Sequence, residues 1–116
     1  MSTLPEKAVL LRIFIGEDDK ADKRPAYEAI VLKARAAGLA GATVLRGPLG
    51  FGHSSHLHTA KILRLSEDLP IVVEIVDSQD KIEAFLPELE KIMGSGLVTL
   101  EKVTVLRYGD GKTQPA

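Results

Sequence analysis

Apolar positions fall in four short runs at strand spacing and two longer stretches at helix spacing. Residues 8–15 (AVLLRIFI) are aliphatic and β-branched and stop at Gly16, which predicts a buried strand. The charged loop GEDDKAD follows, and Pro25 suits the first turn of a helix. Tyr27, Ile30, Val31 and Ala34 recur at i, i+3, i+4 and i+7, one apolar helix face, and Gly38 supplies a stop. Residues 42–46 (ATVLR) predict a second strand, followed by a loop to about Glu67. Residues 69–76 (LPIVVEIV) predict a third strand, nearly all apolar and therefore central. Asp77 or Ser78 can cap the next helix, with Asp80 in its first turn. Ile82, Phe85, Leu86, Leu89, Ile92 and Met93 form the cleanest helical stripe, kinked at Pro87 and ended by Gly94 and Gly96. Residues 97–100 and 103–106 predict strand, with a phase slip at Glu101–Lys102 that calls for a bulge.

This order predicts an α+β, ferredoxin-like βαββαβ fold, a four-stranded antiparallel sheet with two helices on one face. The boundaries are a flexible N-terminus over 1–7, one domain over 8–108 and a flexible tail over 109–116. The first and third strands are apolar on both sides: Leu10 and Phe14 alternate with Val9, Leu11, Ile13 and Ile15, and Val72 and Val76 with Ile71, Val73 and Ile75. Helices on one face leave the other uncovered, so the sheets are expected to pack together in an oligomer.

Composition narrows the class. A chain of 116 residues with 45% hydrophobic content suits one domain, and only 4% aromatics leaves the core to Val, Leu, Ile and Ala. Fifteen basic against sixteen acidic residues give a net charge of -1, without the basic footprint of a nucleic-acid binder. Without cysteine there is no thiol catalysis or thiolate ligand. The N-terminus reads as neither signal peptide nor anchor, and no apolar run reaches the roughly 20 residues of a spanning helix. The expectation is a cytoplasmic protein that is not embedded in a membrane.

Candidate chemistry concentrates in residues 47–58, GPLGFGHSSHLH. The spacing G-x-x-G-x-G is neither a dinucleotide fingerprint nor a P-loop. Its glycines either permit turns in a mobile loop or let consecutive N–H groups meet an anion, beside the forked charge of Arg46. His53, His56 and His58 offer imidazoles for a divalent metal, but no acidic residue occurs between Glu28 and Glu67 to join them. Ser54 and Ser55 lack an oriented base, and G-x-S-x-G is absent, so no catalytic residues are assigned and an enzyme is not expected. Lys33 and Arg35 read as a solvated helix face, and Arg107 as a strand-end charge able to face a neighbouring subunit.

The stretches VLLRIFIGEDDK, GATVLRGPLGFGHSSHLHT and LSEDLPIVVEIVDSQDKIEAFL resemble the DUF190 family, grouped with the PII-like proteins, over about residues 8–107. The resemblance implies a compact trimer with its sheets inside. It further implies a signalling role, with an adenine nucleotide held in clefts between subunits and a mobile loop after the second strand acting on a transporter or enzyme. Arg46 and Gly47 match the start of the family's R-G-F-G-like stretch, and Gly50, Phe51, Gly52 and His53 are similar in type. Arg107 corresponds to one phosphate-facing arginine of the last strand, and the other falls at Val105. The chain departs from other PII proteins in a shorter loop, in having no tyrosine between Tyr27 and Tyr108, and in a phosphate loop reduced to MGSGLV. CutA-like relatives of the same fold, linked to metals, give the alternative of a metal site at His53, His56 and His58.

Overall fold

A computed structural model of the chain describes residues 4–52, 58–59 and 68–112. Its frame is β1 (Lys7–Gly16), α1 (Ala26–Ala36), β2 (Thr43–Arg46), β3 (Pro70–Asp77), α2 (Gln79–Ile92) and β4 (Leu97–Thr104). The sheet order is β2-β3-β1-β4, with every neighbouring pair antiparallel. This is the predicted split βαβ arrangement. Each helix carries the chain over one intervening strand, so β1 and β2 run the same way, as do β3 and β4.

Period-two burial sets the two faces. Val9, Leu11, Ile13 and Ile15 of β1 and Ile71, Val73 and Ile75 of β3 are buried under the helices. They meet Ile30 and Ala34 of α1 and Ile82, Phe85 and Leu89 of α2, the deepest positions of the two predicted stripes. The opposite face carries half-buried Leu10, Phe14, Val72 and Val76, together with exposed Leu45 and Leu97. At its centre Arg12 spans three strands. Its Nε donates to Glu74 Oε2 and its Nη1 to Glu101 Oε1, both at 2.9 Å. The Glu74 hydrogen bond, ahead of the charges of both carboxylates and against some desolvation, raises the Arg12 pKa above its ordinary value.

The helix ends follow local rules with one shift. Pro25 is extended (φ −56°, ψ 137°) and stands as N-cap, so α1 begins one residue after it. At the other end Gly38 takes φ +78°, and the bonds Gly38 N–H to Arg35 O and Leu39 N–H to Ala34 O form a Schellman cap. Ser78 caps α2 by accepting from Lys81 N–H at 3.2 Å. The α2 helix runs unbroken through Pro87, which lies on its exposed side.

The last strand departs from expectation. β4 pairs with β1 without interruption from Leu97↔Phe14 to Thr104↔Lys7, so there is no bulge at Glu101–Lys102. β4 is an edge strand, exposed at every position but half-buried Val103, and nothing enforces an inside/outside phase along it. Arg107 does not end this strand; Arg107–Tyr108 pairs instead with Gly111–Lys112. Before β1, Leu4 is buried. No helix among the described residues is long and apolar enough to cross a membrane.

Candidate functional site

Because β1 and β2 run parallel, their C-terminal ends share one end of the sheet, where β3 begins. The loop after β1 folds tightly there. Gly16 N–H donates to Asp19 Oδ2 (3.0 Å), Asp18 N–H to Asp68 Oδ1 (2.9 Å) and Glu17 N–H to Leu69 O (2.8 Å). A Cβ at Gly16 would meet Asp68 Oδ1 at 2.7 Å, so any other residue would have to push the Asp68 carboxylate aside.

Arg46 ends β2 at this edge, opposite Ile71. Its Nη2 donates to Glu17 Oε2 at 2.6 Å, with the Arg46 side chain 53% and that of Glu17 24% exposed. The chain then turns back: Gly47 N–H donates to Pro70 O at 2.8 Å, and Leu49–Gly50 pairs with His58–Thr59 as a short ribbon. Cβ atoms at Gly47 and Gly50 would stand 3.0 and 3.2 Å from Pro70 Cγ. These two glycines therefore let the hairpin lie flat on the Pro70 ring, a packing reason that the sequence alone does not reveal. Phe51 follows at 70% exposure, and a Cβ at Gly52 would meet no atom of the described residues within 4 Å.

Phe51 and Gly52 line a cavity of about 150 Å³ with Phe14, Gly16, Asp19 and Asp68. Its ionisable side chains are two carboxylates, each already accepting a backbone N–H. That lining does not suit a phosphate, and the volume lies below the roughly 300 Å³ at which small-molecule pockets begin. Among the described residues of one chain, then, the glycine-rich hairpin and Arg46 present an open edge rather than a closed pocket.

Arg107 is not brought to this edge. The neighbouring Tyr108 donates its hydroxyl to Ala40 O at 2.7 Å, and Ala40 N–H donates to Asp77 Oδ2 at 2.8 Å. Arg46 faces Ile71 at the start of β3 and Ala40 sits beside Asp77 at its end. At ~3.3 Å per residue, these two ends of β3 lie about 20 Å apart. Val105 N–H, near Arg107, donates to Glu6 O.

His53 and His56 lie outside the described residues, and His58 is placed only as the backbone partner of Gly50. Among the described residues, no three His, Cys, Asp or Glu side chains gather as a metal-holding group.

Two features escape a residue-by-residue reading of the sequence. One is Glu17, the partner of Arg46 from 29 positions upstream. Topology carries the signal for it, since a carboxylate just after β1 and an arginine closing β2 belong to the same sheet end. The other is a groove of about 860 Å³ on the helical side, floored by Leu32 and Ile92 and rimmed by Lys23, Arg24 and Lys33. There Lys33, exposed on the solvated face of α1 as the sequence predicts, also reaches Glu88 at 3.7 Å.

Comparison with known proteins agrees with this architecture. The nitrogen regulatory PII-like protein CPII from Thiomonas intermedia K12, solved bound to ADP, AMP and bicarbonate, superposes with a TM-score of 0.59 at 20% identity. That match covers 87% of this chain and 90% of CPII, and it places the chain in the PII-like fold. A UPF0166 protein of Aquifex aeolicus (strain VF5) is 42% identical over 100 residues, 86% of this chain and 94% of the relative. The UPF0166 protein MJ1524 of Methanocaldococcus jannaschii is 36% identical over 95 residues, 81% of this chain and 87% of the relative. The family model DUF190, described as "Uncharacterized ACR, COG1993", matches residues 8–105, and the chain belongs to that family.

Proposed function

We propose that this chain is a cytoplasmic, non-enzymatic PII-like regulator that binds an adenine nucleotide in clefts between the subunits of a homotrimer. The observation that carries the proposal is Arg46, a half-exposed guanidinium at the end of an edge strand, opening onto a glycine-rich hairpin. A guanidinium fork matches phosphate oxygens. The DUF190 membership and the PII-like fold support this reading, and CPII of the same fold was solved with ADP and AMP. Residues 46–53 would contribute one wall. Arg107, about 20 Å away along the same chain's sheet, would contribute the other from a neighbouring copy. The apolar sheet face opposite the helices, with Leu45 and Leu97 exposed on it, supports such an assembly.

Ligand binding would act through the loop after β2, around residues 47–66, and so favour or block docking on a transporter or enzyme. That shift requires the ligand to bind the two loop states with different affinity. Calorimetric titration with AMP, ADP and ATP is the test. Wild type is expected to bind at least one of them and Arg46→Ala to bind about 10-fold or more weakly, as for a lost charge-assisted contact of ~1.5–3 kcal/mol. Failure of wild type to bind any of the three removes the proposal.

A further inference from the structure

Arg46 does not wait for a ligand with its donors free. Glu17 Oε2 already holds its Nη2 at 2.6 Å, where an anionic oxygen of a ligand would bind. We propose that Glu17 is a built-in competitor for Arg46, an autoinhibitory carboxylate that a phosphate-bearing ligand must displace. This rests on the reading of Arg46 as a ligand contact.

The geometry suits displacement. A guanidinium donates to a carboxylate and to a phosphate alike, so Glu17 and a ligand exclude one another on the Nη2 N–H they would share. The Arg46 side chain is 53% exposed, which lets a ligand reach it without unfolding the edge. Solvent keeps such a pair weak and replaceable.

Glu17 is also well placed to report its own displacement. Its backbone N–H is tied to Leu69 O, just before β3, while Asp18 N–H is tied to Asp68. Arg46 ends β2 and Leu69 immediately precedes β3. Exchange of Glu17 for a ligand therefore breaks the side-chain tie between the loop after β1 and the end of β2. In this scheme Glu17 sets the ligand concentration at which the site responds.

The test is calorimetric titration of ADP into wild type, Glu17→Gln, Asp18→Asn and the double variant Glu17→Gln/Arg46→Ala. Asp18→Asn removes one charge from the same loop without touching the Arg46 pair. Glu17→Gln is expected to tighten ADP binding about two- to fivefold, the scale of an exposed ion pair. Asp18→Asn is expected to stay near wild type, and the gain to vanish in the Arg46→Ala background. Equal affinity of wild type and Glu17→Gln, or an equal gain from Asp18→Asn, overturns the competitor while leaving nucleotide binding intact. Weaker binding by Glu17→Gln makes Glu17 a structural support for Arg46 and also overturns it. Absence of ADP binding by both wild type and Glu17→Gln removes the competitor and the ADP-binding site together.

Discussion

Asp77 illustrates how one side chain can join three elements. It is 1% exposed, yet both carboxylate oxygens are used: Oδ2 accepts from Ala40 N–H and Oδ1 from Ser78 N–H. The Ala40 carbonyl in turn receives the Tyr108 hydroxyl, so the two peptide groups flanking Ala40, between α1 and β2, are both held. The sequence offers Asp77 and Ser78 as alternative caps. Packing divides the roles, because β3 points residue 77 inward and leaves residue 78 at the helix entrance. Asp77→Ala strands the Ala40 N–H and is expected to lower unfolding free energy by about 1–3 kcal/mol, measured by urea denaturation. An unchanged midpoint would mean that water replaces the carboxylate.

At the scale of elements, what decided legibility was whether packing constrains the pattern. β1, β3 and the buried stripes of α1 and α2 touch one core, so their periodicity is enforced and readable. β4 lies at the sheet edge and is exposed almost throughout, so its apolar phase slips without any break in pairing. Pro87 is a related case. It interrupts the cleanest stripe, but it sits on the solvent side, where water can take up the Glu83 carbonyl left without its N–H partner. Pro87→Ala restores that bond and is expected to stabilise the protein by up to ~3 kcal/mol, seen as a rise in Tm. A fall in Tm would instead assign Pro87 a packing role.

Among the described residues of the whole molecule, both helices pack on one face of the sheet and leave the other without a covering element. Leu10, Phe14, Leu45, Val72, Val76 and Leu97 surround the Glu74–Arg12–Glu101 bridge. Cross-strand pairing on that face accounts for the bridge, since Arg12 stands opposite Glu74 on one side and opposite Thr99, next but one to Glu101, on the other. Val72 lies between Phe14 and Leu45 in register, at the middle of the apolar part. If the sheets pack together, Val72→Glu places a charge in the contact while remaining half-solvated in the single chain. The expected result is a drop in mass by sedimentation equilibrium with an unchanged circular dichroism spectrum. Unchanged mass would show that this face is not the contact.

The element order, the helix-facing core and the two-sided apolarity of the inner strands are all legible in the amino-acid order alone. Each of these is written in local periodicity, which needs only a chain and water to be read. Tertiary structure alone decided what the glycine-rich stretch and its arginine do. Gly47 and Gly50 are small because Pro70 lies against them, and Arg46 is paired because parallel β1 and β2 bring Glu17 to the same sheet end. Arg46 and Arg107, both candidates in the sequence, are set at opposite ends of one sheet by the path of the chain beyond β4. Such relations join residues far apart in sequence through topology, and no local pattern encodes them.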